Sequence, residues 1–265
     1  MIDIHNHILP GIDDGARTLN DSIEIIRCLE QKGYTDIILT PHYIEDSRYD
    51  CNNKKKKELL EELEKQIKKE NININLYLGN EIFISSDTSS LIKAKKATTL
   101  NNSKYILVET SMYSEVKNLE DMLDELIKKG YIPVLAHPER YLGYTSNFDF
   151  FERLINKGII LQGNIKSLRG TYGETAKKML TRLLKRNMIH LVATDSHHII
   201  DVIELEKDLE ALTKLVGQAK KEELTIINPK AILEDKILEK RRIEKEEKNL
   251  FERIYNQVVR GKRYE

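Results

Sequence analysis

Four times along the chain a helical pattern halts at a residue suited to left-handed backbone, and a short apolar run follows. Lys32-Gly33-Tyr34 precedes Ile37-Ile38-Leu39, and Lys129-Gly130-Tyr131 precedes Val134-Leu135-Ala136. Lys157-Gly158 precedes Ile159-Ile160-Leu161, and Lys185-Arg186-Asn187 precedes Leu191-Val192-Ala193. Gly or Asn just past a helix ends it, and an unbroken apolar run suits a strand buried on both faces. Residues 2–4, 76–78 and 105–108 bring the runs to seven, separated by amphipathic stretches such as Leu119, Met122, Leu123, Leu126 and Ile127. This alternation predicts an α/β fold with a parallel sheet, open or closed. The charge-rich stretch 54–70 keeps Leu59, Leu60, Leu63 and Ile67 on one stripe and reads as a surface helix, not a linker.

A length of 265 residues matches the roughly 250 of a single α/β barrel, so one large domain is expected. No apolar run approaches the roughly 18 residues of a membrane helix, and the first residues carry no basic and apolar leader. Cys28 and Cys51 form no metal or disulfide motif, which fits a reducing, cytoplasmic setting. Lys+Arg and Asp+Glu balance at 43 each, so the chain as a whole exerts no pull on nucleic acid and must attract an anionic substrate locally. Residues 236–265 hold ten basic against six acidic side chains and read as a charged helical extension, able to dock on another subunit of a homo-oligomer.

The chemistry gathers at strand ends. Of seven histidines, five directly follow an apolar run: His5 and His7, His42, His137 and His197. Glu81, Glu109 and Asp195 hold the same kind of position. In a parallel α/β fold the C-terminal strand ends open on one face, so these residues should converge in one cup. Taken singly, each histidine is more simply a hydrogen-bonded structural residue and each glutamate a surface charge; His190 and His198 are read that way. Taken together, eight such groups would repel one another or take up protons unless cations compensated. Imidazole and carboxylate without thiolate suit Zn, Mn or Fe. His5 and His7, two apart on a strand, can share one ion.

The loop Pro10-Gly11-Ile12-Asp13-Asp14-Gly15-Ala16-Arg17 lies at the same rim, and either acid could be the ligand while the other caps the turn. Arg140, on another rim loop, suits a phosphate bidentately, against the simpler reading of a surface salt bridge. Neither cysteine has Arg six residues on, and no Walker A or G-x-S-x-G motif occurs. Water on a metal is therefore the expected nucleophile.

His5-Asn6-His7, Thr40-Pro41-His42, Glu81, Glu109, His137-Pro138-Glu139-Arg140, Gln162-x-Asn164, Ser167-Leu168-x-Gly170-x-Tyr172-Gly173, Asp195-Ser196-His197 and Asn228-Pro229 form an ordered set. Together with the Asp13-Asp14 loop it resembles the polymerase and histidinol phosphatase (PHP) superfamily. Within that superfamily it is most similar to the CpsB/YwqE-type manganese-dependent protein tyrosine phosphatases of capsule and exopolysaccharide biosynthesis. The resemblance runs from residue 1 to about 235. It implies a distorted (βα)7 TIM-like barrel as a PHP phosphoesterase domain over 1–235, followed by the 236–265 extension.

It also implies three Mn2+ ions, with Fe or Zn as alternatives. His5, His7, Glu81 and Asp195 would hold one ion; Glu81, Glu109 and His137 a second; Asp14, His42 and His197 a third. Arg140 would bind the substrate phosphate. Relatives carry a further Arg about five residues past the last ligand histidine, where this chain reads His198-Ile199-Ile200-Asp201-Val202-Ile203; Arg17 or Lys207 would have to replace it.

The implied activity is hydrolysis of protein phosphotyrosine by metal-bound hydroxide, the partner being a bacterial tyrosine kinase with a tyrosine-rich tail. Rim tyrosines Tyr43, Tyr113, Tyr141 and Tyr172 could stack on the substrate ring or simply pack. The rival readings are a small-molecule phosphatase such as one for histidinol phosphate, a nuclease, which neutral charge disfavours, and a non-catalytic metal-containing regulator.

Overall fold

The computed structural model describes residues 1–145, 147–239 and 242–244. All seven apolar runs form strands, and every strand pairing is parallel. β1 (Ile2–Asp3), β2 (Asp36–Leu39) and β4 (Asn75–Leu78) make one sheet in the order β1-β2-β4. β3 (His42–Tyr43), β5 (Glu81–Phe83), β6 (Tyr105–Glu109), β7 (Ile132–Ala136), β8 (Ile160–Asn164) and β9 (Leu191–Ala193) make a second, in that order.

The two sheets arise because two runs break in the middle. β2 gives way to β3 across Thr40-Pro41, and β4 to β5 across Gly79-Asn80. Pro41 has no N–H to offer a ladder, and its carbonyl accepts from the Asn80 side chain at 2.9 Å and from the Glu81 N–H at 3.2 Å. Backbone bonds also join the outer edges. Asp195 N–H donates to the His5 carbonyl and His7 N–H to the Ser196 carbonyl, both at 2.8 Å, flanking a parallel bridge between Asn6 and Ser196.

The connecting helices are α1 (Leu19–Gln31), α2 (Asn53–Lys69), α3 (Thr88–Lys93), α4 (Leu119–Lys128), α5 (Phe148–Asn156) and α6 (Gly173–Lys185). After β9 come α7 (Ile199–Ile203), α8 (Leu205–Val216), α9 (Gln218–Glu222), a π-helical turn (Glu223–Ile227) and α10 (Asn228–Leu233). None of the described helices is long and apolar enough to cross a membrane. The four expected helix stops occur as read: Gly33, Gly130, Gly158 and Asn187 all have positive φ. After each, the next N–H reaches back five residues, as Tyr34 does to Leu29 and Met188 to Leu183, satisfying a carbonyl the helix leaves open.

Alternate strand residues enter two different apolar clusters. Tyr105 and Leu107 of β6 join Ile4, Ile38, Val134 and Leu191 on one face. Ile106 and Val108 join the helix residues Ile26, Leu63, Leu123, Leu154 and Leu183 on the other. Both faces are buried, which is why the runs carry no polar alternation. Of the charged helical extension expected over 236–265, residues 236–239 and 242–244 are described and run without helix; the remainder lies outside the described residues.

Candidate metal centre

Each strand delivers its side chain at its C-terminal end or at the break within it. His5 and His7 directly follow β1 and point the same way, their Nε2 atoms 3.3 Å apart. Asn6, between them, turns away to the carbonyl of Ile38 at 3.0 Å. His42 and Glu81 each open the strand that follows a break, and Glu109 closes β6. His137 and Asp195 follow β7 and β9 with φ of 33° and 47°, left-handed backbone that turns their side chains inward instead of continuing the strand.

Glu81 is the hub. Its Oε1 lies 2.8 Å from His137 Nε2 and 3.2 Å from His5 Nε2, and its Oε2 lies 3.0 Å from His42 Nδ1 and 3.3 Å from His7 Nε2. Glu109 Oε1 is 3.1 Å from His42 Nδ1. Asp195 Oδ1 faces His7 at 3.4 Å, His5 at 3.5 Å and His197 at 3.7 Å. Asp14 Oδ1 faces His42 at 3.4 Å and His197 at 3.5 Å. All nine expected ligand residues therefore meet. The cluster is deep at His5, Glu81 and Asp195 and opens toward Asp14, 47% exposed.

A second layer orients the first. Gln162 Oε1 lies 2.7 Å from His5 Nδ1, and Asp13 Oδ2 lies 2.8 Å from His7 Nδ1, so both rings turn Nε2 into the cluster. Asp13 also accepts from the N–H of Gly15 and His42, each at 3.0 Å. The loop ambiguity thus resolves into an orienting Asp13 and an inward-facing Asp14. A Cβ on Gly15 would sit 1.9 Å from the His7 carbonyl oxygen, so only glycine lets this loop lie against the first strand's exit. Asn164 Nδ2 donates to Asp195 Oδ2 at 2.6 Å, and Arg140 Nη1 donates to the same oxygen at 2.9 Å.

Lys166, not singled out by sequence reasoning, is buried; its Nζ donates to the Asp195 carbonyl at 2.7 Å and pairs with Asp201 at 3.0 Å. Asp201 in turn accepts from the N–H of His197 and His198. Lysine and aspartate together clamp the segment that presents Asp195 and His197. Lys207 pairs with Glu204 on the surface at 2.6 Å, and Arg17 lies exposed beside Asp21, Glu24 and His198. Neither forms an ion pair with any of the nine. His190 is a buried structural residue whose Nδ1 accepts from Leu161 N–H.

The electrostatics are those of a site built around cations. Burial works against a proton on His5, but the charges of Glu81 and Asp195 outweigh it and raise its pKa. Burial opposes His7 likewise, and Asp13 beside it drives its pKa well up. Against burial and the charge of His7, Glu81 and Glu109 push His42 up to about 10. Burial favours neutral carboxyls, yet His5 foremost among the imidazoles holds both Glu81 and Asp195 well below the carboxylate range. The hydrogen bond from His197 lowers Asp14.

His5 and His7 bring their Nε2 atoms within 3.3 Å of each other among the carboxylates, and His137 Nδ1 is buried without a hydrogen-bond partner. Nitrogen and oxygen donors that converge this closely, with no thiolate, fit divalent ions of the Mn, Fe or Zn kind. Among the described residues four groups could hold an ion: His7, Asp14, His42 and His197; His5, His7 and Glu81; His5, His137 and Asp195; His42, Glu81 and Glu109.

The sequence model of the family described as capsular polysaccharide synthesis, CpsB/CapC, matches residues 1–234. The tyrosine-protein phosphatase YwqE of Bacillus subtilis is 37% identical over 199 residues, 75% of this chain and 78% of that protein. The tyrosine-protein phosphatase CpsB of Streptococcus agalactiae is 29% identical over 245 residues, 89% of this chain and 99% of that protein. A solved chain from work on YwqE of Bacillus subtilis and CpsB of Streptococcus pneumoniae, described as unique metal-dependent tyrosine phosphatases, superposes with a TM-score of 0.83 at 32% identity. It covers 94% of this chain and 100% of its own length. An amidohydrolase of Mycoplasma synoviae, 12% identical with a TM-score of 0.61 over 98% of this chain and 94% of its own, shares the fold.

Proposed function

Since the chain belongs to the CpsB/CapC family of capsular polysaccharide synthesis, we propose that it is a metal-dependent phosphatase removing phosphate from tyrosine on proteins. The observation that carries this reading is the convergence of five imidazoles and four carboxylates at the strand ends, with the Arg140 guanidinium on Asp195. The partner is a bacterial tyrosine kinase with a tyrosine-rich tail, and the setting is the cytoplasm, in keeping with two unpaired cysteines. The catalytic unit is a PHP domain over 1–235, closed as a distorted (βα)7 barrel. The bonds from Asp195 and His7 across to the opposite sheet edge support that closure.

We assign three Mn2+ ions to the cluster: one to His5, His7, Glu81 and Asp195, one to Glu81, Glu109 and His137, and one to Asp14, His42 and His197. Divalent ions bound there acidify water and neutralise charge on phosphoryl oxygens. The chain's own groups do the rest. Asp13 and Gln162 fix the imidazole tautomers, and Asn164 holds Asp195 so that Arg140 can turn its free N–H groups to the phosphate. The Arg140 guanidinium lies over the Tyr172 ring at 4.1 Å, a contact that steadies it beside Asp195. Burial of Glu81 and Asp195 strengthens every charge interaction made there.

Hydrolysis of a phosphotyrosine peptide, histidinol phosphate and single-stranded DNA, each with Mn2+, tests the reading. Turnover is expected on the peptide above the other two; a protein inert toward phosphotyrosine would defeat it. Asp13→Asn, which removes the charge behind His7, is expected to weaken Mn2+ binding by about 10–100-fold in a calorimetric titration. Affinity equal to that of the unaltered protein would take Asp13 out of the orienting layer.

A further inference from the structure

Arg140 belongs to two places at once. Its Nη1 reaches Asp195 inside the cluster, while the same side chain walls a neighbouring hollow of about 210 Å3. The other walls include Met112 and Tyr113 after β6, Leu142 just past Arg140, and Tyr172 and Ala176 at the start of α6. Leu142 N–H donates to the Met112 carbonyl at 2.8 Å, so the two loops bearing the aliphatic walls are fastened together and the hollow has a set width. Tyr113 and Leu142, 86% and 56% exposed, stand at its mouth as large apolar groups left in water. Of the four rim tyrosines named from the sequence, Tyr43 and Tyr141 are buried and offer no face to a ligand.

We propose that this hollow is an aryl subsite: it takes the phenyl ring of an aryl phosphate whose phosphoryl group lies against Arg140 and the cluster. The proposal rests on the phosphatase reading above. Because Arg140 is common to cluster and hollow, a phosphate held by its guanidinium lies beside the hollow, within reach of a ring carried on its ester oxygen. A dry cavity of about 150 Å3 lined by aliphatic and aromatic groups holds a benzene ring, so the volume is of the right order. Met112 and Leu142 supply contact for the ring's surface, and the tyrosines supply partners for offset or edge-on packing. A small alkyl phosphate would leave the space unfilled and gain nothing from it.

The test compares phenyl phosphate with glycerol 2-phosphate on the full chain with Mn2+. In Met112→Ala and in Leu142→Ala the ratio of kcat/KM values, aryl over alkyl, is expected to fall about tenfold, mainly through KM, and further in the double variant. Calorimetric binding of phenylphosphonate should weaken by a similar factor relative to methylphosphonate, a readout independent of turnover. A ratio unchanged in the double variant, or aryl and alkyl kcat/KM falling together, would overturn the subsite while leaving the phosphatase standing. An unaltered protein that hydrolyses neither ester would bring down the phosphatase reading, and the subsite with it.

Discussion

Replacing Glu81 by Gln is expected to lower phosphate ester hydrolysis at least about a thousandfold, a barrier increase of roughly 4 kcal/mol, in a chain that still folds. The two Glu81 oxygens lie within 3.3 Å of four imidazole nitrogens from three separate strands, so no other carboxylate of the cluster faces as many of its imidazoles. Gln preserves the volume, and the packing around a fully buried position is therefore kept. What changes is charge. One of the two oxygens becomes an N–H donor facing imidazole nitrogens, and the negative charge that would bridge two ions is gone. Metal content by elemental analysis should fall alongside kcat/KM on a phosphotyrosine peptide, while the circular dichroism spectrum stays that of the parent. A variant retaining its metal and more than a tenth of the activity would show that Glu81 is not the hub.

Much of the site is legible in the sequence because a parallel fold ties chemistry to strand ends. His137 and Asp195 could be placed from their position after an apolar run, with no knowledge of packing. The second layer is not legible in that way. Gln162 and Asn164 alternate along β8 as ordinary polar strand residues, and only their contacts with His5 and Asp195 reveal what they do. Lys166 looks like one more surface lysine, yet its ammonium is enclosed between the Asp195 carbonyl and Asp201.

A similar reversal occurs at Lys56. It continues the stripe of Leu59, Leu63 and Ile67 and is buried with them, its pKa pulled down to about 7 by burial. Its Nζ donates to the Thr98 hydroxyl at 2.6 Å and also to the Asn80 side chain, bracing the break that presents Glu81. Periodicity marks such a position as inward-facing but cannot say that a cation will be tolerated there, since that depends on acceptors from remote segments. The breaks at Pro41 and Gly79-Asn80 were hidden for the same reason: each run looks continuous or ends early by composition, and the second short strand exists only through its neighbour.

Stripped of divalent ions, the histidine cluster is expected to lose its contribution to stability as pH rises from about 6.5 to 10, and the metal-loaded cluster to show the opposite slope. His5, His7 and His42 have raised pKa values in the folded chain, His42 at about 10 against roughly 6.5 when unfolded. A group raised on folding stabilises fully below its unfolded pKa, and that contribution is lost as pH climbs to the folded one. Asp13, Asp14, Glu81 and Asp195 are lowered, so their contribution is present above about 4 and lost in acid. Lys56, lowered to about 7, works the other way, since the unfolded chain keeps that proton longer as pH rises. His42's share of the loss by pH 10 is on the order of 3–5 kcal/mol, so between pH 6 and pH 9 the chelated parent should lose about 10 °C more in melting temperature, or gain that much less, than a chelated His42→Gln variant. Ions reverse the trend because they bind neutral imidazole and expel its proton, so their stabilisation grows with pH until the rings are fully deprotonated. Thermal melts at pH 6 and pH 9, after chelation and again with excess Mn2+, measure both slopes. A chelated His42→Gln variant whose stability changes between pH 6 and pH 9 just as the parent's does would mean that this imidazole is not held protonated by the carboxylates around it, and that the cluster's charges are balanced in some other way.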